Sequence, residues 1–375
     1  MTKKEIIKTQ YFDAYPSGQP LRLECGKQIS PVRVAYETYG SLNSIKSNAM
    51  LVFHALSGDA HAAFFNSPED TKPGWWDFMI GPGKPFDTDK FFIICANVLG
   101  GCKGSTGPSS INPETGKPYG VSFPPITISD MLKPQKELLK HLGITKLLAV
   151  AGGSMGGMLA LQWAKSYPNQ TEAAIFIATA ASHTAQAIAF NSVGRYAIIS
   201  DSNWKGGNYY QQENKPLVGL KIARMIGHIT YIGQQSMHQK FGRKTYNNKV
   251  EGIDFLKEFE VESYLQYKGE SFVKRFDPNS YLYITKAIDA FNIYGKHSSL
   301  AEALKGVKAR SLVISFSSDW LYPQQESAKI VKALKINGLD TAYCNIESPF
   351  GHDSFLLDLP KFKDAARGFL NSLRS

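Results

Sequence analysis

The alternation of apolar and polar positions along the chain predicts a sheet whose strands alternate with helices. Short apolar runs bounded by turn residues are typical of buried strands, whereas apolar positions that recur every three or four residues indicate helices. Strands are predicted at residues 33–40, 48–54, 90–98, 146–150, 172–178, 309–318 and 341–346. Helices are predicted at residues 158–164, 324–336 and 360–373, and another runs to His141 from a cap at Ser129 or Asp130. This alternation favours a mainly parallel α/β sheet with helices on both faces.

The alternation stops between about residue 183 and about residue 304. This stretch contains helical patterns, for example at residues 217–226 and 281–288, and a polar loop expected at residues 242–252. We interpret residues 183–304 as a helical lid inserted over the carboxyl edge of the sheet. The α/β domain then comprises residues 1–182 and 305–375.

A glycine-rich turn joins the predicted strand at residues 146–150 to the helix that follows it. Gly152, Ser154 and Gly156 match G-x-S-x-G, the nucleophile elbow, in which glycines allow a sharp turn that exposes the serine hydroxyl. A glycine-rich turn with an incidental serine is the alternative interpretation. The backbone N–H of Met155 and that of Leu56, which follows the strand at residues 48–54, are the expected oxyanion donors.

Asp319 and His352 each follow one of the last two predicted strands. Because the carboxyl ends of parallel strands meet at one edge of a sheet, both residues can converge with Ser154. The order Ser, Asp, His is that of the α/β-hydrolase fold, which we therefore predict. Taken singly, Asp319 and His352 have ordinary structural explanations, which we assign to the other histidines. Together they predict a catalytic triad in which Ser154 attacks, His352 transfers the proton and Asp319 orients the imidazole.

Composition limits the remaining function classes. With 43% hydrophobic and 20% charged residues, the chain has the composition of a soluble globular protein, and no apolar run is long enough to span a membrane. The first residues lack the apolar core of a signal peptide. Four scattered cysteines without a C-x-x-C pair favour a cytoplasmic location and argue against a metal site. The net charge of +10 comes from dispersed lysines, which argues against nucleic-acid binding and is compatible with a phosphorylated cofactor.

Five segments of the chain resemble homoserine O-acetyltransferases. They are residues 53–61 (FHALSGDAH), 97–108 (NVLGGCKGSTGP), 152–157 (GGSMGG), 318–323 (SDWLYP) and 351–356 (GHDSFL). The resemblance extends over nearly the whole chain, including the lid, and residues 97–108 are its most specific part. It implies transfer of an acetyl group from acetyl-CoA to L-homoserine in methionine biosynthesis, by a ping-pong route through acylated Ser154. It further implies no permanently bound cofactor, a cytoplasmic location and a homodimer built through the lid helices.

The resemblance also carries two substrate-binding residues over by position. Arg224 matches the arginine that holds the substrate carboxylate, a task that suits a guanidinium fork. Asp353, next to His352, matches the residue that contacts the substrate amino group. An exposed helix arginine and a helix-capping aspartate are the respective alternatives.

Other acceptors and donors stay open on the sequence alone. The same triad is compatible with an ester hydrolase, and the same fold is compatible with a non-catalytic binding protein. Serine differs from homoserine by one methylene, which is worth only about 1–3 kcal/mol of discrimination. A succinyl donor would need a cation near the acyl group, and the segment Trp320–Pro323 has none, although Arg195 or Lys221 could supply one. We therefore expect acetyl-CoA as the donor.

Overall fold

The computed structural model describes residues 4–245 and 258–373, which contain a central eight-stranded sheet. Its strands are β1 Gln10–Tyr15, β2 Val32–Tyr39, β3 Ala49–Phe53, β4 Phe92–Ala96, β5 Leu147–Gly153, β6 Thr171–Ile177, β7 Arg310–Phe316 and β8 Thr341–Ile346. They lie in the order β1-β2-β4-β3-β5-β6-β7-β8. Strand β2 is antiparallel to both of its neighbours, and the six strands β3 to β8 are parallel to one another. The predicted, mainly parallel α/β sheet is confirmed.

Ten α-helices connect these strands within the described residues. They are α1 Ile128–His141, α2 Met155–Ser166, α3 Ala185–Ser200, α4 Leu217–Tyr231, α5 Gln234–Phe241, α6 Glu260–Val273, α7 Pro278–Asp289, α8 Leu300–Ala303, α9 Gln324–Ile336 and α10 Pro360–Asn371. Short 3-10 helices lie at Gly120–Ser122, Lys205–Gly207 and Gly351–Leu356. Three two-stranded pairs join Leu21–Arg22 to Gln28–Ile29, Ile80–Gly81 to Phe86–Asp87, and Ile111–Asn112 to Lys117–Pro118.

Apolar side chains bury both faces of the sheet. Val150 of β5 belongs to a core that includes Met131 of α1 and Leu159 of α2. The next residue, Ala151, belongs to a second core, which includes Phe362 of α10. Successive strand residues point to opposite faces, so the nearly continuous apolar run of β5 is what a strand covered on both sides requires. The buried sheet provides a rigid base for the loops at its carboxyl edge.

Three elements differ from the sequence predictions: an additional strand, β1, and the starts of helices α1 and α2. Strand β1 was not predicted, because its side chains are largely exposed at the edge of the sheet and show no apolar run. Helix α1 is capped by Thr127 rather than by Ser129 or Asp130. The Thr127 hydroxyl accepts a hydrogen bond from the Asp130 N–H, and the Asp130 carboxylate accepts one from the Thr127 N–H, which together form a capping box. Helix α2 begins at Met155, directly after the serine.

Helices α3 to α8 lie between β6 and β7, where the strand–helix alternation of the sequence stops. The predicted helices at residues 217–226 and 281–288 are confirmed as parts of α4 and α7. Helix α4 packs against α3 and α6 and also contacts the 3-10 helix that carries His352. Most of the loop expected at residues 242–252 lies outside the described residues. The division into domains at residues 183 and 304 stays a prediction.

Candidate active site

Ser154 occupies the turn between β5 and α2 with φ 59° and ψ −123°. A positive φ is uncommon for a residue other than glycine and stores strain that the surrounding structure must hold. A Cβ at Gly152 would lie 2.3 Å from the backbone of Gly156, and one at Gly156 would lie 2.2 Å from the carbonyl oxygen of Phe53. The turn therefore requires glycine at both positions, and its geometry is that of a nucleophile elbow.

Ser154, His352 and Asp319 form a continuous chain of hydrogen bonds. Nε2 of His352 lies 2.8 Å from Oγ of Ser154, and Nδ1 lies 2.7 Å from Oδ2 of Asp319. The other carboxylate oxygen of Asp319 accepts hydrogen bonds from the N–H groups of Leu321 and Tyr322, at 3.0 and 2.9 Å. His352 and Asp319 are only 3% and 4% exposed. The three residues come from the loops after β5, β7 and β8, as the sequence analysis expected.

The surroundings of His352 set its proton affinity. Burial lowers the pKa of the imidazole, but the charge and hydrogen bond of Asp319, with the charge of Asp353, raise it more, so that the pKa lies above its usual value. Rings of Tyr322, Phe355 and Tyr231 pack around the imidazole, with centroids 5.2, 5.5 and 5.9 Å away. The imidazole is therefore oriented by one carboxylate and enclosed by aromatic side chains.

His54 fixes the loop that carries Leu56, one of the two expected oxyanion donors. Its Nε2 accepts a hydrogen bond from the Val98 N–H at 3.1 Å, so Nδ1 carries the proton and donates to the Ala55 carbonyl oxygen at 2.8 Å. Burial lowers the pKa of His54 and thereby favours this neutral form. Met155 supplies the first N–H of α2, which has no acceptor within the helix. Leu56 and Ser154 line one cavity, and Met155 directly follows Ser154 in the chain.

The loop at residues 97–108 packs on β2. The Ser105 hydroxyl donates to the Asn97 carbonyl oxygen at 2.6 Å and accepts from the Ala35 N–H at 3.0 Å. The Thr106 hydroxyl accepts from the Arg33 N–H at 2.9 Å. Hydroxyl groups of the loop therefore fasten it to the sheet. The most family-specific motif therefore has a structural role in this loop.

Arg224 projects from α4 towards the triad. Its guanidinium carbon lies 5.6 Å from the centre of the Tyr231 ring and 4.7 Å from that of the Phe272 ring. One of its nitrogens donates to the Ser57 hydroxyl at 3.4 Å. The flanking rings favour the cation and restrict its orientation.

Asp353 follows His352 in the 3-10 helix Gly351–Leu356. Burial raises the pKa of its carboxyl group, while the positive charge of Arg224 acts in the opposite direction. The site thus contains a cation that contacts Tyr231, a neighbour of His352, and a carboxyl group next to His352 in the chain. This pair is complementary to a free amino acid, which carries one charge of each sign.

A cavity of about 40 Å³ lies against Ser154. Its lining includes Leu56, Leu321, Tyr231 and Tyr281. A single water needs only about 10–15 Å³ by the same measure, so the cavity holds a group of a few heavy atoms. Leu321 thus lies beside the serine, where the sequence analysis looked for a cation.

A buried polar cluster stands behind this cavity. His183 and Asn191 line the cavity, and both hydrogen-bond to Oδ1 of Asp289, at 3.0 and 2.8 Å. Nη2 of Arg195 lies 2.6 Å from the other oxygen of Asp289. Lys221 is paired with Glu270 at 2.8 Å. Both cations that the sequence offered for a succinyl carboxylate are therefore already paired.

The sequence analysis missed several residues of the site. Arg275 donates to the Ser57 carbonyl oxygen at 2.7 Å, and its guanidinium carbon lies 5.2 Å from the Phe272 ring centre. Tyr231 and His183, which line the cavity, were not singled out either. These residues depend on how the helices between β6 and β7 pack on the sheet, and no local pattern in the sequence distinguishes them.

Residues 4–245 and 258–373 contain neither a cluster of side chains that could bind a metal ion nor a helix that could span a membrane. No group of three or more His, Cys, Asp or Glu side chains in these ranges is placed to hold a metal ion. In the same ranges, every helix is too short or too polar to cross a membrane.

Comparison with known proteins places the chain in a family. A family model described as alpha/beta hydrolase fold matches residues 48–359. The chain is 58% identical to the homoserine O-acetyltransferase of Methanohalobium evestigatum over 365 residues, which cover 97% of this chain and 73% of that protein. Homoserine O-acetyltransferase from Bacillus anthracis, known from a crystal structure, is 34% identical in sequence to this chain. The two structures superimpose with a TM-score of 0.89 over 98% of each chain. The crystal structure of esterase E22 is 33% identical, with a TM-score of 0.88, and covers 97% of this chain and 100% of its own. The protein belongs to the homoserine O-acetyltransferase family of the α/β-hydrolase fold.

Proposed function

We propose that the protein transfers the acetyl group of acetyl-CoA to the hydroxyl group of L-homoserine, a step of methionine biosynthesis. The observation that supports this most directly is the hydrogen-bonded chain from Ser154 to Asp319, with Arg224 and Asp353 beside it. A nucleophile that can be acylated thus lies next to two opposite charges that can hold an amino acid.

In the first half-reaction, His352 takes the proton of Ser154 as Oγ attacks the thioester carbon. The tetrahedral oxyanion is stabilised by the N–H groups of Leu56 and Met155; losing one such donor costs about 3–4 kcal/mol in a serine protease. The carbon–sulfur bond then breaks, and His352 returns the proton to the CoA thiolate. The product is acetylated Ser154.

In the second half-reaction, homoserine replaces CoA. Arg224 pairs with its carboxylate and Asp353 with its ammonium group, which aims the hydroxyl at the acetylated serine. His352 takes the hydroxyl proton as the oxygen attacks the ester carbon, and it gives the proton to Oγ of Ser154 as the ester bond breaks. The products are O-acetylhomoserine and the free enzyme.

The small cavity supports acetyl rather than succinyl as the transferred group. A cavity of about 40 Å³ has room for few atoms beyond an acetyl group. A succinyl carboxylate buried there would lack a free cation, since Arg195 is paired with Asp289. The side chain after the triad aspartate that lines the cavity is Leu321, which is apolar.

Ester hydrolysis is the second candidate, because esterase E22 resembles this chain about as closely as the Bacillus anthracis enzyme does. The two functions differ in the acceptor, water or homoserine. In a hydrolase the charges of Arg224 and Asp353 would have no substrate group to meet.

A product assay with purified protein tests the proposal. Acetyl-CoA or succinyl-CoA is combined with homoserine or serine, and products are separated by mass spectrometry. We expect O-acetylhomoserine to form with the highest kcat/KM, and Leu321→Arg to shift the donor ratio towards succinyl-CoA. Free acetate as the main product in the presence of homoserine would favour the hydrolase.

We further propose that the protein is a cytoplasmic homodimer that associates through the lid helices, with the lid comprising residues 183–304. Helices α3 and α4 pack together and carry exposed apolar side chains, among them Tyr196, Val218 and Val193, which are 74%, 63% and 56% exposed. Large exposed apolar side chains on two helices that pack together support a protein–protein contact at this surface.

A further inference from the structure

Besides Arg224, three cationic side chains lie against the rings of Tyr264 and Phe272 on α6. Nζ of Lys240 lies 4.6 Å from the centre of the Tyr264 ring, and Nζ of Lys268 lies 5.4 Å from it. The guanidinium carbon of Arg275 lies 5.2 Å from the Phe272 ring centre. We call Lys240, Lys268 and Arg275 the cationic cluster.

No member of the cationic cluster forms an ion pair within the described part of the chain. None of its three members lies within 4.0 Å of a carboxylate there. By contrast, Lys221 on the neighbouring helix α4 is paired with Glu270. Like charges at this spacing repel one another, and a ligand that supplies negative charge relieves this repulsion.

The nearby positive charges change the pKa values of Lys268 and His228. Burial lowers the pKa of Lys268, and the charges of Arg224 and Lys240 lower it further, while the charge of Asp353 acts in the opposite direction. Burial and the nearby cations together lower the pKa of His228 to about 3. His228 is therefore neutral and adds no charge, and the cluster acts through its lysines and arginine.

The position of the cationic cluster fits the remote end of the acyl donor. Contacts run from His352 to Tyr231, then to Arg224, Phe272 and Arg275. The members of the cluster do not line the cavity at Ser154. In acetyl-CoA the pantetheine arm separates the thioester from the diphosphate and the ribose phosphate, so those anions must be met away from the serine.

We infer that the cationic cluster binds the phosphate groups of acetyl-CoA, an inference that rests on the proposed donor. Arg224 remains available for the homoserine carboxylate, because the phosphates are held by the other three cations. Lysine and arginine side chains with free N–H groups are the usual partners of phosphate oxygens. Lys240 and Arg275 are exposed and Lys268 is half-buried, so a ligand that arrives from solvent can reach them.

A comparison of two donors in the acylation half-reaction tests this inference. Acylation of the intact protein is followed by thiol release without homoserine, using acetyl-CoA or S-acetylpantetheine, which lacks the phosphates. For the double variant Lys240→Gln, Lys268→Gln we expect kcat/KM with acetyl-CoA to fall about tenfold or more. The value with S-acetylpantetheine should not change, and added salt should raise KM only for acetyl-CoA.

Lys274→Gln is the matched control, since Lys274 is an exposed lysine at the end of the same helix. This substitution should leave kcat/KM unchanged with both donors. Equal losses with both donors in the double variant would overturn the inference, because they would indicate a structural effect. Unchanged use of acetyl-CoA would also overturn it. Failure of the wild-type protein to be acylated by either donor would instead contradict the proposed function.

Discussion

The imidazole of His352 joins Ser154 to Asp319, and its proton affinity decides when acylation can occur. The imidazole must be neutral to accept the serine proton. Burial lowers its pKa, but Asp319 and the charge of Asp353 together raise the pKa by more than burial lowers it. The neutral form is therefore gained only as the pH rises through a pKa above the usual 6.5. The order and spacing of these residues predicted their convergence. Their distances and the resulting pKa depend on packing that no sequence pattern describes.

Asp319→Asn tests this electrostatic account. Without the Asp319 carboxylate, burial is opposed only by the charge of Asp353, so the pH at which acylation reaches half of its plateau should move to lower values. The plateau rate should also fall, by about 10⁴-fold if the loss resembles that in serine proteases, because the amide no longer stabilises the imidazolium or selects its tautomer. The measurement is the rate of thiol release from acetyl-CoA as a function of pH. A half-point that stayed in place or moved upwards would contradict the account.

Arg224→Lys separates substrate binding from acylation. Lysine keeps the positive charge but loses the planar pair of donors that matches a carboxylate. We expect kcat/KM for homoserine to fall about tenfold or more, while acylation by acetyl-CoA is little changed. Arg367→Lys, which affects a surface arginine next to Asp364, is the control and should alter neither. Loss of acylation with normal homoserine use would show that the assignment is wrong.

The elbow and the loop after β3 are held by backbone contacts that leave little room. Gly152 and Gly156 each abut backbone atoms, and His54 ties the loop to the end of β4 through the Val98 N–H. The motif G-x-S-x-G indicated the glycines, because close backbone approach has a clear sequence signature. The role of His54 had none, because its partner lies 44 residues away in the chain.

Two glycine substitutions in helices test the packing at the elbow. A Cβ at Gly156 would lie 2.2 Å from the Phe53 carbonyl oxygen, so Gly156→Ala should lower the free energy of unfolding by about 1–3 kcal/mol and reduce acylation. Gly368, in α10, has no atom within 4 Å of the position that a Cβ would occupy, and Gly368→Ala should raise the free energy of unfolding by about 0.5–1 kcal/mol. Thermal and denaturant unfolding measure both. Equal effects of the two substitutions would rule out the packing argument.

The whole molecule combines a sheet that the sequence predicted with a helical segment whose arrangement it did not. Strands β3 to β8 each carry an apolar run, so their existence follows from local patterns. The helices between β6 and β7 were recognisable as helices, but their packing on the triad brings in Arg275 and the Asp289 cluster through long-range contacts. The pair of Arg195 on α3 with Asp289 on α7 joins helices that are far apart in the chain, so no local sequence pattern predicts it.

The exposed apolar face of α3 and α4 predicts the oligomeric state. We expect light scattering to show a dimer at micromolar concentrations, and the double variant Tyr196→Glu, Val218→Glu to be monomeric, because buried charge without a partner is costly. Ile45→Glu is the control: Ile45 is also apolar and 79% exposed, but it lies outside the lid helices, and this variant should stay dimeric. A monomeric wild-type protein would refute the proposed interface.

The formation and fate of an acyl-enzyme test the central claim most directly. The protein is mixed with acetyl-CoA without an acceptor, and its intact mass and peptides are measured by mass spectrometry before and after homoserine is added. We predict one acetyl group on the peptide containing Ser154, no such group in Ser154→Ala, and its transfer to homoserine as O-acetylhomoserine. An acetyl adduct that persists in Ser154→Ala, or one that is released only as acetate when homoserine is present, would contradict the account.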